Sequence, residues 1–411
     1  MLSLSNIIVR VAGLAYKVWL ASVISPVALG LYQLAMSVYS VFITPVATGL
    51  PSATNRLSAK YASVDDKGVF ASALKLALVP TVVSFFLLFL GKDIFASLFL
   101  HEKSAGILIV ALIPALTLGM ISSIPASYLH SQGKTAYPAV FEIFEQCGKI
   151  LFSILLIKLC TFKSDVHEAL VPTLAVSLGG ILSFIMMFSK TGFPSLKNSI
   201  YQKELLENAV PPTLARLVTS LLHLGTTTVL PLGLVAYGMS KEGALSVYGV
   251  LTSMAYPVVF APMTVLSAIC VVTLPQISSH LNDRGYIKKK FRQTFLYSLL
   301  ITLVFSVLLL FFAKKLATEV FAQPIAAGFM IMLIPSIIFL GLNHSVRMVL
   351  SGLGKQKALM TTAIIDGAIG LILTCILVRF FGIYGFIFGN VLQDTLAFII
   401  NLCLYFKYIN K

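Results

Sequence analysis

Six basic side chains sit inside stretches of this chain that are otherwise apolar: Arg10, Lys17, Lys75, Lys149, Arg216 and Arg347. Glu142, Glu145, Asp366 and Asp394 do the same with negative charge. An ionised group in hydrocarbon costs about 3 kcal/mol on insertion scales. Such residues therefore pair, reach for the surface, or line a wet cavity. Arg10 and Lys17 are seven residues apart, two helical turns, and share one helix face. A shift of 206 residues carries Arg10 onto Arg216 and Lys17 onto His223. Two readings are open: ion pairs with Glu142, Glu145 or Asp366, or the cationic lining of a central cavity. The second suits an anion, because the planar guanidinium fork donates two parallel hydrogen bonds to a phosphate. A low-dielectric cavity strengthens such contacts.

The carboxylates admit their own chemistry. Glu145 and Lys149 are one turn apart and can neutralise each other along a helix. Alternatively Glu145, Asp366 or Asp394 exchanges H⁺ or Na⁺ in an ion-coupled cycle. Lys75 lies near a helix end and reads as a side chain that snorkels to the interface. Arg347 suits either snorkelling or a cavity. The six histidines show no metal-ligand spacing, and no catalytic serine or cysteine arrangement is present. No phosphate-cradling loop with a lysine and a hydroxyl exists, so ATP does not drive the protein directly. The expectation is a non-enzyme without cofactor or metal. Cys147, Cys160, Cys270, Cys375 and Cys403 read as small buried hydrophobes.

These side chains must be positioned by membrane-spanning helices. The chain is 58% hydrophobic and 11% charged, with mean hydropathy +0.95. Soluble domains carry about 25% charged residues. Apolar runs long enough to cross about 30 Å of hydrocarbon recur along it. Twelve spans are predicted, at 6–24, 29–50, 69–90, 104–127, 136–159, 168–189, 209–233, 244–273, 291–313, 325–349, 357–380 and 383–406. Pro45, Pro114, Pro125, Pro257, Pro262 and Pro335 are expected to bend them. No cleavable leader is apparent, so the first span is expected to be retained. The net charge of +15 does not point to nucleic acid, because the basic residues are scattered between spans. They settle orientation instead. Alternate connections hold sixteen of them (Arg56, Lys60, Lys67, Lys134, Lys190, Lys197, Lys203, Arg284, Lys288, Lys289, Lys290, Arg292, Lys355, Lys357, Lys407, Lys411) against eight in the others, Lys163 among them. The positive-inside rule puts the richer side and both termini in the cytoplasm.

The spans repeat. Shifting 112–158 by 221 positions lays Ile113-Pro114 on Ile334-Pro335, Gly133-Lys134 on Gly354-Lys355, Glu145 on Asp366 and Lys158 on Arg379. With an even number of spans, both halves enter from one side, so the repeat is parallel. Two like halves around a midplane site are a sequence mark of a transporter. The expected domains are an N-terminal six-helix bundle at 1–190, a linker at 191–208, and a C-terminal six-helix bundle at 209–411.

Gly30-Leu31-Tyr32-Gln33-Leu34, Thr48-Gly49-Leu50-Pro51 and Leu57-Ser58-Ala59-Lys60-Tyr61 resemble the second-helix pattern of a known family. It is the stage V sporulation protein B-like, polysaccharide biosynthesis transporter family. Ser131-Gln132-Gly133-Lys134 and Phe144-Glu145-Gln146-Cys147-Gly148-Lys149 resemble its helix 4–5 turn and helix 5 motif. Gly352-Leu353-Gly354-Lys355 and Phe381-Gly382-Ile383-Tyr384-Gly385 match its second-half turns. The resemblance covers nearly the whole chain. It implies the multidrug/oligosaccharidyl-lipid/polysaccharide (MOP) superfamily and an all-α, V-shaped pair of bundles working by alternating access. It implies a plasma-membrane flippase in bacteria whose cargo is an anionic lipid-linked saccharide or lipid II-like peptidoglycan precursor, drawn from the membrane lipids. In flippase relatives, basic residues on the first helix contact the cargo diphosphate; Arg10 and Lys17 match that pattern here. The alternative is an H⁺- or Na⁺-coupled multidrug exporter, whose pocket should favour acidic and aromatic residues. A non-transporting scaffold is a third option, and it leaves the intramembrane charges without a purpose.

Overall fold

A computed structural model of the chain describes residues 2–159, 162, 164–195, 200–281 and 283–409, without the side chains of 2–7 and 271. Cys160, Lys163, Lys197 and Lys411 lie outside the described residues. Within them every regular element is a helix. The first half holds α1 (Leu2–Val23), α2 (Pro26–Ala47), α3 (Gly49–Lys60), α4 (Asp66–Phe95), α5 (Gly106–Ser131), α6 (Ala136–Leu159) and α7 (Asp165–Thr191). The second holds α8 (Gln202–Ala236), α9 (Lys241–Gly249), α10 (Tyr256–Val259), α11 (Pro262–Ser278), α12 (Arg284–Lys315), α13 (Ile325–Met332), α14 (Ile334–Gly352) and α15 (Gln356–Ile409). The last is two helices joined across Gly382, whose φ of 58° interrupts the helical path.

Among the described residues, eight helical runs are long and apolar enough to cross a membrane, nine with one bent pair. The twelve predicted spans lie in helical sequence, although 29–50, 244–273 and 325–349 each cross a break between two helices. Large apolar side chains stand exposed along them, such as Val79, Phe86, Phe89 and Leu90 on α4 and Leu300, Val304 and Phe311 on α12. Apolar surface of that extent is covered by lipid. The chain is a multi-pass, all-α membrane protein.

The prolines act in two ways. Pro45, Pro114 and Pro125 lie inside helices, as expected. Pro257 lies inside the continuous helical run Lys241–Val259, just after its π-helical turn. Pro262 and Pro335 instead stand in the first turn of α11 and α14, where the missing N–H costs nothing, so these two start helices rather than bend them. The α9–α10 run and α11 meet at 49°. Asp65 and Asp283 cap the helices that follow them, accepting from Gly68 N and Tyr286 N, each at 2.9 Å.

The repeat is visible in the backbone. Gly133 and Gly354 share a φ of 72°. Lys134 N donates to Leu129 O and Lys355 N to Leu350 O, both at 3.0 Å, the same left-handed helix stop in each half. The correspondence also runs further upstream than the sequence match. A π-helical turn follows α4 at Ala96–Leu100 and another follows α12 at Leu316–Val320. Non-glycine residues with positive φ come next, His101 at 57° and Ala322 at 51°, again 221 positions apart.

Two compact units form: Met1–Gly13 with Leu31–Leu224, and Leu14–Gly30 with Gly225–Lys411. They differ from the expected bundles at 1–190 and 209–411. The first unit includes the predicted linker and residues 209–224, and the second includes residues 14–30. Helix α8 begins at Gln202, so the second part of that linker is helical. The physical reason is close packing of small residues. At Gly49 a Cβ would overlap the carbonyl oxygen of Ala209, so only glycine lets α3 approach α8. Gly49 N donates to Thr213 Oγ1, and Thr44 Oγ1 lies 3.2 Å from Ser220 Oγ. In the second unit the core gathers Ile277, Ile287, Val349, Leu350 and Tyr405 from α11, α12, α14 and α15.

The cysteine expectation is corrected. Cys147, Cys375 and Cys403 are exposed and Cys270 is half-buried. They lie on helix faces that an apolar thiol can share with lipid, which a hydropathy pattern does not distinguish from a core face.

Candidate functional site

Arg10 and Lys17 on α1, and Arg216 and His223 on α8, are all exposed side chains. Among the described residues, no hydrogen bond or ion pair engages these four side chains. The ion-pair reading of Arg10 and Arg216 therefore finds no partner in Glu142, Glu145 or Asp366. Arg10 and Arg216 belong to the first unit, Lys17 to the second. Arg216 acts electrostatically on His223, two turns along the same helix.

Helix α6 carries Glu142 and Glu145, both exposed, and Lys149, half-buried. Between them Gln146 is buried, and its Nε2 has no hydrogen-bond partner among the described residues. A Cβ on Gly13 would lie 3.6 Å from that Nε2. Gln146 thus packs against α1 between the positions of Arg10 and Lys17. The close approach of α6 to α7 that seats this motif depends on Gly179, where a Cβ would press on the Glu145 carbonyl oxygen.

In the second unit Gln393 Nε2 donates to Asp366 Oδ1 at 3.0 Å and to the Asp366 carbonyl oxygen at 3.2 Å. Asp394 follows Gln393 directly, so two candidate carboxylates stand in one neighbourhood. Arg347 of α14 lies within electrostatic reach of Asp366. Asn390 donates to the Tyr256 hydroxyl, and Asp394 acts electrostatically on Tyr256. Asn401 Nδ2 donates to Asn343 Oδ1 at 2.9 Å in the buried interior. The neighbouring Arg347 guanidinium favours the charged form of Asp366, and the Gln393 amide holds one of its oxygens. Gln393, Asn390 and Tyr256 were missed by the sequence reading. A signal existed: Asn390, Gln393 and Asp394 recur at i, i+3 and i+4, one polar face in an apolar run.

A second polar seam joins α3 to the start of α8. Lys60 Nζ donates to Glu204 Oε1 at 2.8 Å, the Tyr61 hydroxyl donates to Glu204 Oε2 at 3.0 Å, and Arg56 donates to Asn208. In sequence these residues are more than 140 positions apart, and charge counting assigned them only to a membrane side.

The family model described as polysaccharide biosynthesis protein matches residues 1–281, over half of the chain. The chain belongs to this family. A second family model, described as MatE, matches residues 227–377 of the chain. Stage V sporulation protein B of Bacillus subtilis (strain 168) is 22% identical over 387 residues, covering 89% of this chain and 74% of that one. Lipid II flippase MurJ of the same organism is 22% identical over 440 residues, covering 98% and 80%. Among solved structures, the inward-facing conformation of a multidrug resistance MATE family transporter of the MOP superfamily superposes with a TM-score of 0.78. It is 16% identical and covers 98% of each chain. The chain shares the fold of that MOP superfamily transporter. The fold is shared with a multidrug transporter, so fold alone does not choose the cargo.

Proposed function

We propose that the protein is a flippase that moves an anionic lipid-linked saccharide or peptidoglycan precursor across the bacterial plasma membrane by alternating access. Both termini face the cytoplasm. The observation that carries this reading is the set of exposed basic side chains on α1 and α8, which no ion pair neutralises among the described residues. The cargo-contacting residues of this reading are Arg10, Arg216 and His223 in the first unit, with Lys17 of the second as a further candidate. The arginines fork onto the cargo diphosphate, Lys17 adds charge and His223 can donate a ring N–H. Glu145, Asp366 and Asp394 couple the cycle to H⁺ or Na⁺, and Lys149 is the structural partner of Glu145. The similarity to two curated proteins, one of them a lipid II flippase, supports this cargo class. The protein transports and does not catalyse a covalent change.

A cation-coupled multidrug exporter is the second reading, and the MatE match over 227–377 favours it. Reconstituted vesicles separate the two. Purified protein should flip a labelled lipid-linked saccharide and carry a lipid diphosphate through purification, identified by mass spectrometry. Movement of organic cations with no flipping of any lipid diphosphate would establish the exporter instead.

A further inference from the structure

The two units differ in how their basic residues are compensated. In the first, Lys60 pairs with Glu204, Arg56 donates to Asn208 and Lys134 donates to Gln132. In the second, the start of α12 carries Arg284, Lys288, Lys289, Lys290 and Arg292 within one short stretch that holds no acid. Asp283, which precedes them, is engaged in capping the helix at Tyr286 N. Lys288, Lys289 and Arg292 are exposed, and no ion pair or hydrogen bond engages them among the described residues. Retention of positive charge on one membrane side asks for basic residues in both units, but not for this difference.

The depth of these side chains is set by α12 itself. The stretch between Arg292 and Lys314 holds no charged residue and rises about 33 Å at about 1.5 Å per residue, close to the thickness of about 30 Å for hydrocarbon. Arg292 therefore marks one edge of the apolar layer, and Lys288 lies one turn outside it. Lys288, Arg292, Phe295, Leu299 and Leu303 follow one another at three- and four-residue steps, so one face of α12 passes from cationic to apolar as it enters the membrane. Aromatic rings continue that face toward its neighbours. The ring centroids of Phe291 and Tyr405 of α15 are 4.1 Å apart, those of Phe295 and Phe398 of α15 6.3 Å, and those of Phe398 and Phe339 of α14 6.1 Å. Phe291, Phe295, Phe339 and Phe398 are half-buried, so each ring keeps an open side. Leu303 of α12 and Ile399 of α15 stand exposed beside them.

We infer that this face binds an anionic phospholipid, its phosphate held by Lys288 and Arg292 and one acyl chain lying on the rings of Phe295 and Phe398. The chemistry is complementary at both ends. The arginine fork matches two oxygens of a phosphate, and a lysine stem lies along apolar surface while its ammonium reaches a head. A cluster of basic residues immediately outside a spanning segment attracts anionic lipid. An acidic protein segment would meet the same charges, but the face runs on below them into leucines and rings at hydrocarbon depth, where only a lipid chain follows. The site shares no residue with the proposed cargo site and does not depend on the cargo.

The test uses the full chain in detergent, titrated with phosphatidylglycerol and with phosphatidylcholine of identical chains, and bound lipid counted by native mass spectrometry. Wild-type protein should retain phosphatidylglycerol preferentially. Each of Lys288→Gln and Arg292→Gln should lower that preference about 5-fold, and the pair about 30-fold, at the usual worth of a basic residue near an anionic head. Both positions are exposed, and unchanged monodispersity will show that the fold survives. The pair Lys67→Gln/Lys134→Gln in the first unit, which removes the same charge elsewhere, should leave the preference within about 2-fold of wild type. Equal retention of the two lipids by wild type overturns the proposal. An equal loss in the Lys67/Lys134 pair also overturns it, because the preference would then belong to net charge and not to this face. Displacement of phosphatidylglycerol by glycerophosphoglycerol, the head without its chains, would remove the acyl seat. Displacement at parity by polyglutamate would assign the charges to an acidic protein segment instead. Flipping activity is not the readout, so the cargo assignment can fail while this one stands.

Discussion

Replacing Arg10 or Arg216 by alanine separates cargo binding from folding. Both side chains are exposed and no carboxylate of the described residues holds them. Removing an exposed, unpaired cation changes stability by about 0.5 kcal/mol or less. An arginine that donates to a diphosphate loses far more, because a hydrogen bond to a charged group is worth about 1.5–3 kcal/mol. That range corresponds to a loss of roughly 10- to 150-fold in cargo affinity. Each single variant should therefore unfold at the wild-type temperature and bind a lipid diphosphate at least about tenfold more weakly. The assay is binding and flipping of a labelled lipid-linked saccharide in reconstituted vesicles, with thermal unfolding measured on the same preparations. The double variant is the sharper case: two lost forks should abolish flipping. Normal flipping by Arg10→Ala/Arg216→Ala would refute the basic-site reasoning, even with the cargo class intact. A large drop in stability for either single variant would show instead that these arginines hold the fold.

Asp366→Asn keeps an oxygen to accept from Gln393 but removes the charge, so it should alter the pH or Na⁺ dependence of flipping while leaving cargo binding near wild type; Glu145→Gln should act likewise. Gly49→Leu should destabilise by about 1–3 kcal/mol, read as a lower unfolding temperature, because a side chain there meets the Ala209 carbonyl. Gly354→Ala should cost about 1–2 kcal/mol, since a φ of 72° is strained for any residue with a Cβ; an equal loss for Gly133→Ala would show that the two repeat turns are energetically alike. Lys60→Ala should leave the unfolding temperature nearly unchanged, and any difference should vanish at high salt, as its partner Glu204 sits at the surface.

The class of the protein was legible in its residues. Apolar runs of spanning length, interrupted by few charges, permit little besides transmembrane helices, because backbone polar groups in lipid must be satisfied within the segment. The repeat was legible too, since Gly133 and Gly354 fill a left-handed turn position that most other residues strain to adopt. Even the intramembrane charges announced themselves, being costly wherever no function or partner retains them. Partnership was not legible. Hydropathy assigns a residue to a span but not to a face, so the cysteines were placed in a core that three of the four described ones do not enter. Helix periodicity relates neighbours along one helix and says nothing of Gln393 reaching Asp366, or Glu204 reaching Lys60. Nor could the pattern tell that Arg10 and Arg216 lack a carboxylate partner among the described residues, the observation on which the proposed binding site rests. The division into units was hidden for the same reason. Sequence order grouped 209–224 with the second half, whereas Gly49, Thr213 and the Thr44–Ser220 contact bind that segment to the first. Composition and local pattern set what each helix is; close packing of small residues and long-range hydrogen bonds, which depend on three-dimensional neighbours, set what each helix meets.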